Sequence, residues 1–367
     1  MKLIAQLQLK PMPEQAAALK TTLETANAAC DYIAALAWEQ QEFRQYHLHK
    51  LAYESTRARF GLSAQVVVRC ISKVADAYKL DKGTKKGQRT FTRTGAISYD
   101  ARILTFQPHQ ATVSVWTVGG RLIIPFVCGE PQERMLETQQ GESDLTFTKG
   151  KFYLLATCEV AEAQPVKTQG TLGIDLGIVE LATDSNGQSY SGEPTKVVRR
   201  RYKRSRGLLQ KRGTKSAKRH LKRASKRQAN FTRNENHCIS TKIVETATTE
   251  RKALALENLK GIRERTGFNR EMRWQMGSWA FAQLQSFVAY KAKRAGIPVV
   301  YVDAKNTSRT CSKCSYCDKD NRKSQAQFSC LNCGHSLNAD YNAALNIMAR
   351  AAVNPPIAVC SQSIVRA

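Results

Sequence analysis

Gly173-Ile174-Asp175-Leu176-Gly177 decides how the second half of this chain is read. It is an apolar run that ends on a carboxylate, so it reads as a buried strand with an acid at its exit. Leu254-Ala255-Leu256-Glu257-Asn258-Leu259 repeats the arrangement. A third acid, in Asn338-Ala339-Asp340-Tyr341-Asn342-Ala343-Ala344, opens a helical stretch from Asp340 to Ala351, with Ala344, Ile347 and Met348 on one face. Three carboxylates buried together are prohibitive unless cations neutralise them. Two divalent ions about 3.5–4 Å apart on such a cluster serve phosphodiester cleavage, one activating water and the other stabilising the leaving oxygen.

Each acid alone has a plainer reading. Asp175 suits a turn before Gly177, Glu257 an ion pair at a strand end, and Asp340 a helix N-cap. Their joint occurrence, in order, favours catalysis. Asp184 and Asp303 also end strands and rank below these three.

Charge names the partner. Lys plus Arg number 57 against 30 Asp plus Glu, a net +27, which calls for a polyanion. Lys196 to Arg227 holds 16 basic residues in 32 positions and no acid. That run is either a solvated face or a phosphate-contacting helical insertion. Its place between two acidic motifs favours the second, with Arg199, Arg200, Arg201, Lys203, Arg204, Lys211, Arg212, Lys218, Arg219, Lys222 and Arg223 as contacts. Tyr202 and His220 are either base-stacking rings or amphipathic filler. No apolar run is long enough to span a bilayer, and the N-terminus alternates like a strand rather than a secretory core. The expected setting is the cytoplasm, nucleoid-associated, with no membrane partner.

Five of the eleven cysteines lie between Cys311 and Cys333. Cys311-x-x-Cys314 and Cys330-x-x-Cys333, with fifteen residues between them, have the spacing of a structural zinc ribbon. Cys314 with Cys317 is a second possible knuckle but leaves only twelve residues to Cys330, so Cys311 and Cys314 are preferred. His335 is a neighbour rather than a ligand. Four sulfurs leave no open position, so the Zn2+ is structural. Arg309, Arg322 and Lys323 make the ribbon basic, and Arg322 is counted among the nucleic-acid contacts. The remaining cysteines read as buried small hydrophobes.

The period of the chain divides it. A strand in residues 1–10 precedes helical stripes such as Leu19, Leu23, Ala26, Cys30 and Ile33 in 11–80. Lys79 to Arg93 is a connector. Period two from about Ala96 to Val160 gives strands at Thr112–Trp116, Arg121–Val127 and Leu145–Val160. Residues 1–10 and 81–165 are expected to form a β-barrel carrying the 11–80 helical bundle. From 166 strands and helices alternate, including a helix from Ser278 to Ala295 and a strand from Pro298 to Asp303. This predicts a multidomain protein, α/β plus β-barrel, whose second half is of the ribonuclease H type. Residues 166–305 form its first part, with the basic insertion at 196–250. The ribbon takes 306–335 and the closing part 336–367.

These motifs resemble the TnpB proteins of bacterial insertion sequences, compact relatives of type V CRISPR effectors. The resemblance is carried by the three acidic motifs and by Thr307-Ser308-Arg309-Thr310-Cys311 through Asn321-Arg322-Lys323-Ser324-Gln325. Gly61-Leu62-Ser63-Ala64-Gln65, Lys73 to Tyr78, Ser278 to Gln283 and Tyr290 to Lys293 extend it over nearly the whole chain. It implies a wedge barrel with a helical recognition insertion and a RuvC nuclease with an inserted zinc ribbon. The activity implied is RNA-guided cleavage of double-stranded DNA beside a short target-adjacent motif. Asp175, Glu257 and Asp340 would hold Mg2+ (or Mn2+), and guide RNA from the flank of its own element would be the partner of a monomer. Ser315-Tyr316 and Cys317 depart from the usual glycine-containing ribbon turn. The alternatives are a guide-directed repressor that does not cut and a strand-transfer transposase.

Overall fold

The structure, a computed structural model, describes residues 1–79, 87–259 and 281–353. Residues 80–86 of the connector, the start of the Ser278 helix and Cys360 lie outside these residues. The chain divides into two compact units, 1–161 and 162–367.

In the first unit, β1 (Lys2–Leu9) precedes α1 (Pro13–Glu39), α2 (Gln45–Phe60) and α3 (Ala64–Lys79). Strands β2 (Ile97–Tyr99), β3 (Leu104–Gln107), β4 (Thr112–Thr117), β5 (Gly120–Val127), β6 (Gln139–Thr148) and β7 (Lys151–Glu159) follow, with α4 (Glu130–Leu136) between β5 and β6. The seven strands form one nearly closed sheet in the order β2-β6-β7-β1-β5-β4-β3. β1 alternates so that Ala5, Leu7 and Leu9 are buried, and it lies between β7 and β5, antiparallel to both. Edge strand β2 reaches β4, one strand in from the other edge: the Tyr99 hydroxyl donates to the Trp116 carbonyl at 3.2 Å. The helices and the sheet share one core, including Leu19, Leu23, Ile33, Val74, Val115 and Leu154. The sequence reading gave no helix at 130–136, although Gly129, Pro131 and the acids Glu130 and Glu133 are ordinary helix-start signals.

The second unit is built on a five-stranded mixed sheet of the ribonuclease H type. Its strands are β8 (Gly170–Asp175), β9 (Glu180–Asp184), β10 (Ser189–Ser191), β11 (Lys252–Glu257) and β12 (Val299–Val302), in the order β10-β9-β8-β11-β12. β8, β11 and β12 are parallel, β9 is antiparallel to β8, and β10 is antiparallel to β9. α5 (Glu193–Arg212) and α6 (Lys215–Thr249) stand between β10 and β11, and α7 (Phe281–Arg294) between β11 and β12. The small strands β13 (Gln327–Ser329) and β14 (Ser336–Asn338) pair, and β14 runs straight into α8 (Ala339–Val353).

Strand alternation sorts the two faces. Leu254 and Leu256 share a core with Ile243, Ala247, Leu284 and Val288 of α6 and α7. Ala255 on the other face packs with Ile347 and Ala351 of α8. Among the described residues no helix is long and apolar enough to cross a membrane.

Candidate active site and zinc ribbon

The same alternation places the acids. Gly173 and Asp175 on β8, and Ala255 and Glu257 on β11, point to the face that α8 covers. The parallel register sets Ala255 opposite Gly173 and Leu256 opposite Ile174, so Glu257 follows beside Asp175. Gly173 lets α8 lie directly on the strand. A Cβ there would stand 2.2 Å from the Ala344 carbonyl oxygen and 2.6 Å from the Met348 nitrogen. That close seating brings the first turn of α8, with Asp340, over the carboxyl ends of the strands.

Asp340 does not cap its helix. Asn338 does, its Oδ1 accepting from the amides of Asp340 at 2.9 Å and Tyr341 at 3.1 Å. The Asp340 carboxylate instead accepts from Arg322 Nη2 at 3.2 Å. Glu257 is 8% exposed and Asp340 5%. Asp175 is half-buried overall, yet its carboxyl is pushed well above the usual range, first by desolvation and then by the charges of Glu257 and Asp340. Burial likewise raises Glu257 and Asp340, against the hydrogen bond from Thr307 and the charge of Arg322 respectively. Carboxyls raised in this way by burial, and at Asp175 by like charge, are relieved when a cation is bound among them. Among the described residues the carboxylates are not drawn together as closely as the ribbon thiols.

Asp303 is exposed but its charge reaches Glu257 and raises it. Asp184 is a turn acid: its Oδ1 accepts from the amides of Asn186 at 3.0 Å and Gln188 at 2.9 Å.

Several site residues escaped the sequence reading. The Thr307 hydroxyl donates to Glu257 Oε1 and so orients that carboxylate. Asn342 and Asn346 follow Asn338 at intervals of four, a polar stripe along α8 whose period is the signal that could have found them. Asn346 Nδ2 donates to the carbonyls of Thr307 at 2.9 Å and Thr310 at 2.7 Å. Asn342 bonds Thr310 and Ser312. Arg350 Nη1 donates to the carbonyls of Asp303 at 2.7 Å and Lys305 at 2.8 Å. One face of α8 therefore fastens the segment that carries Thr307 and enters the ribbon.

In the ribbon, the sulfurs of Cys311, Cys314, Cys330 and Cys333 all lie within 4.8 Å of one another, with Cys317 and His335 outside the group. The Cys311 carbonyl accepts from Ser315 N at 2.9 Å and the Cys330 carbonyl from Gly334 N at 3.0 Å, so the two knuckles are alike. Ser315 adopts φ 61° and Gly334 φ 67°, so serine takes the left-handed conformation that glycine takes in the second knuckle. The departure at Ser315 leaves the turn intact. Buried Asn321 ties the knuckles together, donating to the carbonyls of Arg309 and Tyr316 and accepting from Leu331 N. The Tyr316 amide helps pull the Cys314 thiol down to about 6, while against the His335 amide the neighbouring thiols push Cys333 up to about 12, so the four sulfurs act as one coupled group. Four thiols so placed fit one tetrahedral ion.

The basic residues divide. Arg200, Arg201, Lys203, Arg204, Lys211, Arg212, Lys218, Arg219, Lys222 and Arg223 are exposed on α5 and α6. Two of the expected contacts are placed differently from the rest. Arg199 is only 6% exposed and shares the inward face of α5 with buried Thr195, one turn before it. Arg322 does not present a free basic surface: its guanidinium is spent on Asp340 and on the Gln325 carbonyl at 2.9 Å.

Comparison with known proteins bears on the same regions. A family profile described as "Cas12f1-like, TNB domain" matches residues 281–347, and one described as "Probable transposase" matches 155–263. The CRISPR-associated endodeoxyribonuclease Cas12f1 of Syntrophomonas palmitatica is 30% identical over 222 residues, 48% of this chain and 44% of that protein. The putative RNA-guided DNA endonuclease InsQ of Escherichia coli K12 is 28% identical over 224 residues, 54% of each chain. The chain thus spans about half the length of these curated relatives. A cryo-EM structure of a Cas12f1–sgRNA–target DNA complex aligns over 92% of this chain and 83% of that one. Its TM-score is 0.64 at 16% identity, which is a likeness of fold.

Proposed function

Since the chain belongs to the TnpB- and Cas12f-related family, we propose that it is an RNA-guided, metal-dependent endonuclease that cuts double-stranded DNA beside a short target-adjacent motif. The observation that carries this reading is the convergence of Asp175, Glu257 and Asp340 on one face of the sheet, each with its carboxyl pushed upward. These three would hold Mg2+ or Mn2+, whose Lewis acidity supports charge on the phosphodiester oxygens. Thr307 orients Glu257, and Arg322 balances part of the charge on Asp340. The exposed bases of α5 and α6 neutralise nucleic-acid backbone, which supplies affinity without sequence information. Sequence must then come from base pairing to a guide. The proposed guide is RNA from the flank of the chain's own element, and the proposed setting is cytoplasmic.

The test is to express the chain with its gene's flank, sequence the RNA that copurifies, and rewrite the guide segment. Cuts in a plasmid carrying the new target should move with the guide. Cuts that stay where they were overturn the proposal.

For the ribbon, one structural zinc per chain is expected on Cys311, Cys314, Cys330 and Cys333. Cys330→Ser should lose it and lower the melting temperature of the second unit, because the metal's binding energy is folding energy there. Cys317→Ser should keep both zinc and stability. Elemental analysis of the two purified variants decides it, and equal loss in both would move the site to the other knuckle.

A further inference from the structure

α5 and α6 form a hairpin with an open groove along its seam. Gly213 and Thr214 join them, and Arg206 Nη2 reaches Gln228 Oε1 across the pair at 2.9 Å. Between the helices lies a cavity of about 520 Å³, with Arg201, Tyr202, Arg212, His220, Arg223 and Arg227 among its walls. The spacing of Arg201, Ser205, Leu208 and Arg212 on α5, and of His220, Arg223 and Arg227 on α6, puts each set on one helix face.

The rim of this space carries four exposed arginines, and no carboxylate lines it. Guanidinium groups gathered without an acid repel one another, so the cavity is arranged for an anion. The walls also offer an aromatic ring from each helix, Tyr202 from α5 and His220 from α6. Leu209 and Ala224 give it an apolar floor. Rings, an apolar floor and guanidinium groups together match a nucleotide whose base is free to stack and whose phosphate is free to pair. The volume lies within the range of roughly 300–1,000 Å³ that encloses a small ligand. A base pair in a duplex has no free face to offer it.

We propose that this cavity is a subsite for a single unpaired nucleotide, its base against Tyr202 and His220 and its phosphate among the arginines. The inference rests on the nucleic-acid reading above and adds to it a preference for unstacked bases. It assigns to Tyr202 and His220 a role that composition alone left open.

The test uses the full chain in metal-free buffer without a guide, so that its outcome is independent of whether cutting follows a guide. Three labelled probes are titrated by fluorescence anisotropy: oligouridylate, its deoxy counterpart, and blunt duplex DNA. The Tyr202→Ala/His220→Ala variant should lose about tenfold in affinity for single strands and stay within about twofold of wild type on the duplex. Its salt dependence should be unchanged, since no cation is removed. Tyr202→Phe should bind like wild type, because the ring is kept. Alanine favours helix at both positions, so circular dichroism should match wild type. A loss on oligouridylate alone assigns the occupant to RNA, a loss on the deoxy strand alone to DNA, and a loss on both to either. Unchanged single-strand affinity, or an equal fall on the duplex, overturns the proposal.

Discussion

Replacing Asp175, Glu257 or Asp340 by alanine abolishes DNA cleavage while target binding is largely retained. Each change would remove a hard oxygen from the proposed cation set. A cation's charge stabilisation is worth several kcal/mol, so its loss costs about a thousandfold or more in rate. Binding draws on other residues, the exposed bases of α5 and α6, which lie on different elements from the three acids. Cleavage by the unmodified chain should require Mg2+ or Mn2+ and stop with a chelator. Folding provides the control. In metal-free buffer the three carboxyls are all raised, so their charges oppose the folded state. Asp175→Asn should therefore melt no lower than wild type there, and it should still fail to cut. Cutting at the wild-type rate by any of the alanine variants would remove the acids from the mechanism.

Gly173→Ala is expected to be the most damaging change outside the acids, although it adds one methyl group. Its Cβ would overlap the Ala344 carbonyl oxygen and the Met348 nitrogen, both helix backbone, which no rotamer change can relieve. Either α8 lifts from β8 or the strand shifts. Overpacking of this kind costs about 1–3 kcal/mol, and rigid backbone on both sides puts it at the upper end or beyond. About 3 kcal/mol corresponds to a fall of roughly 6–12 °C in the melting temperature of a unit of this size. Because α8 carries Asp340, cleavage should fall in parallel even in the fraction that remains folded. Thermal melting with and without Mg2+, alongside a nicking assay, measures both effects. A variant that melts within about a degree of wild type would mean that the helix does not sit on the strand as described.

Much of this site could be read from local pattern, because the residues that build it obey short periods. The apolar runs ending in Asp175 and Glu257 are strands by alternation, and the face they share with α8 follows from the same period. The four thiols were legible because ribbon spacing is itself a geometric statement, which set Cys317 aside before any coordinates did. What stayed hidden depends on contacts between distant segments. Arg322 lies in a basic stretch and looks like surface charge until the ribbon folds back and delivers it to Asp340. Arg199 is one arginine in a run of three, and only the seating of α5 decides which of them turns inward. Thr307 and Asn346 have no chemistry of their own to attract notice, since their value lies in which backbone and carboxylate they meet. The helix at Glu130–Leu136 was missed for another reason: a single short helix in a long stretch of period two is outvoted by its neighbours.

The seating of α8 also has a consequence in time. β8 and β11 leave the ribosome well before α8, so of the three acids Asp340 is the last to be made. The N-terminal unit draws its core entirely from residues before Glu159 and can complete itself while the rest is still being made. A chain terminated ahead of Asp340 therefore keeps its basic surface but lacks both a ligand and the cover over one sheet face. The order of translation therefore acts as a safety catch on the proposed activity: the basic helices are built before the acid set is complete.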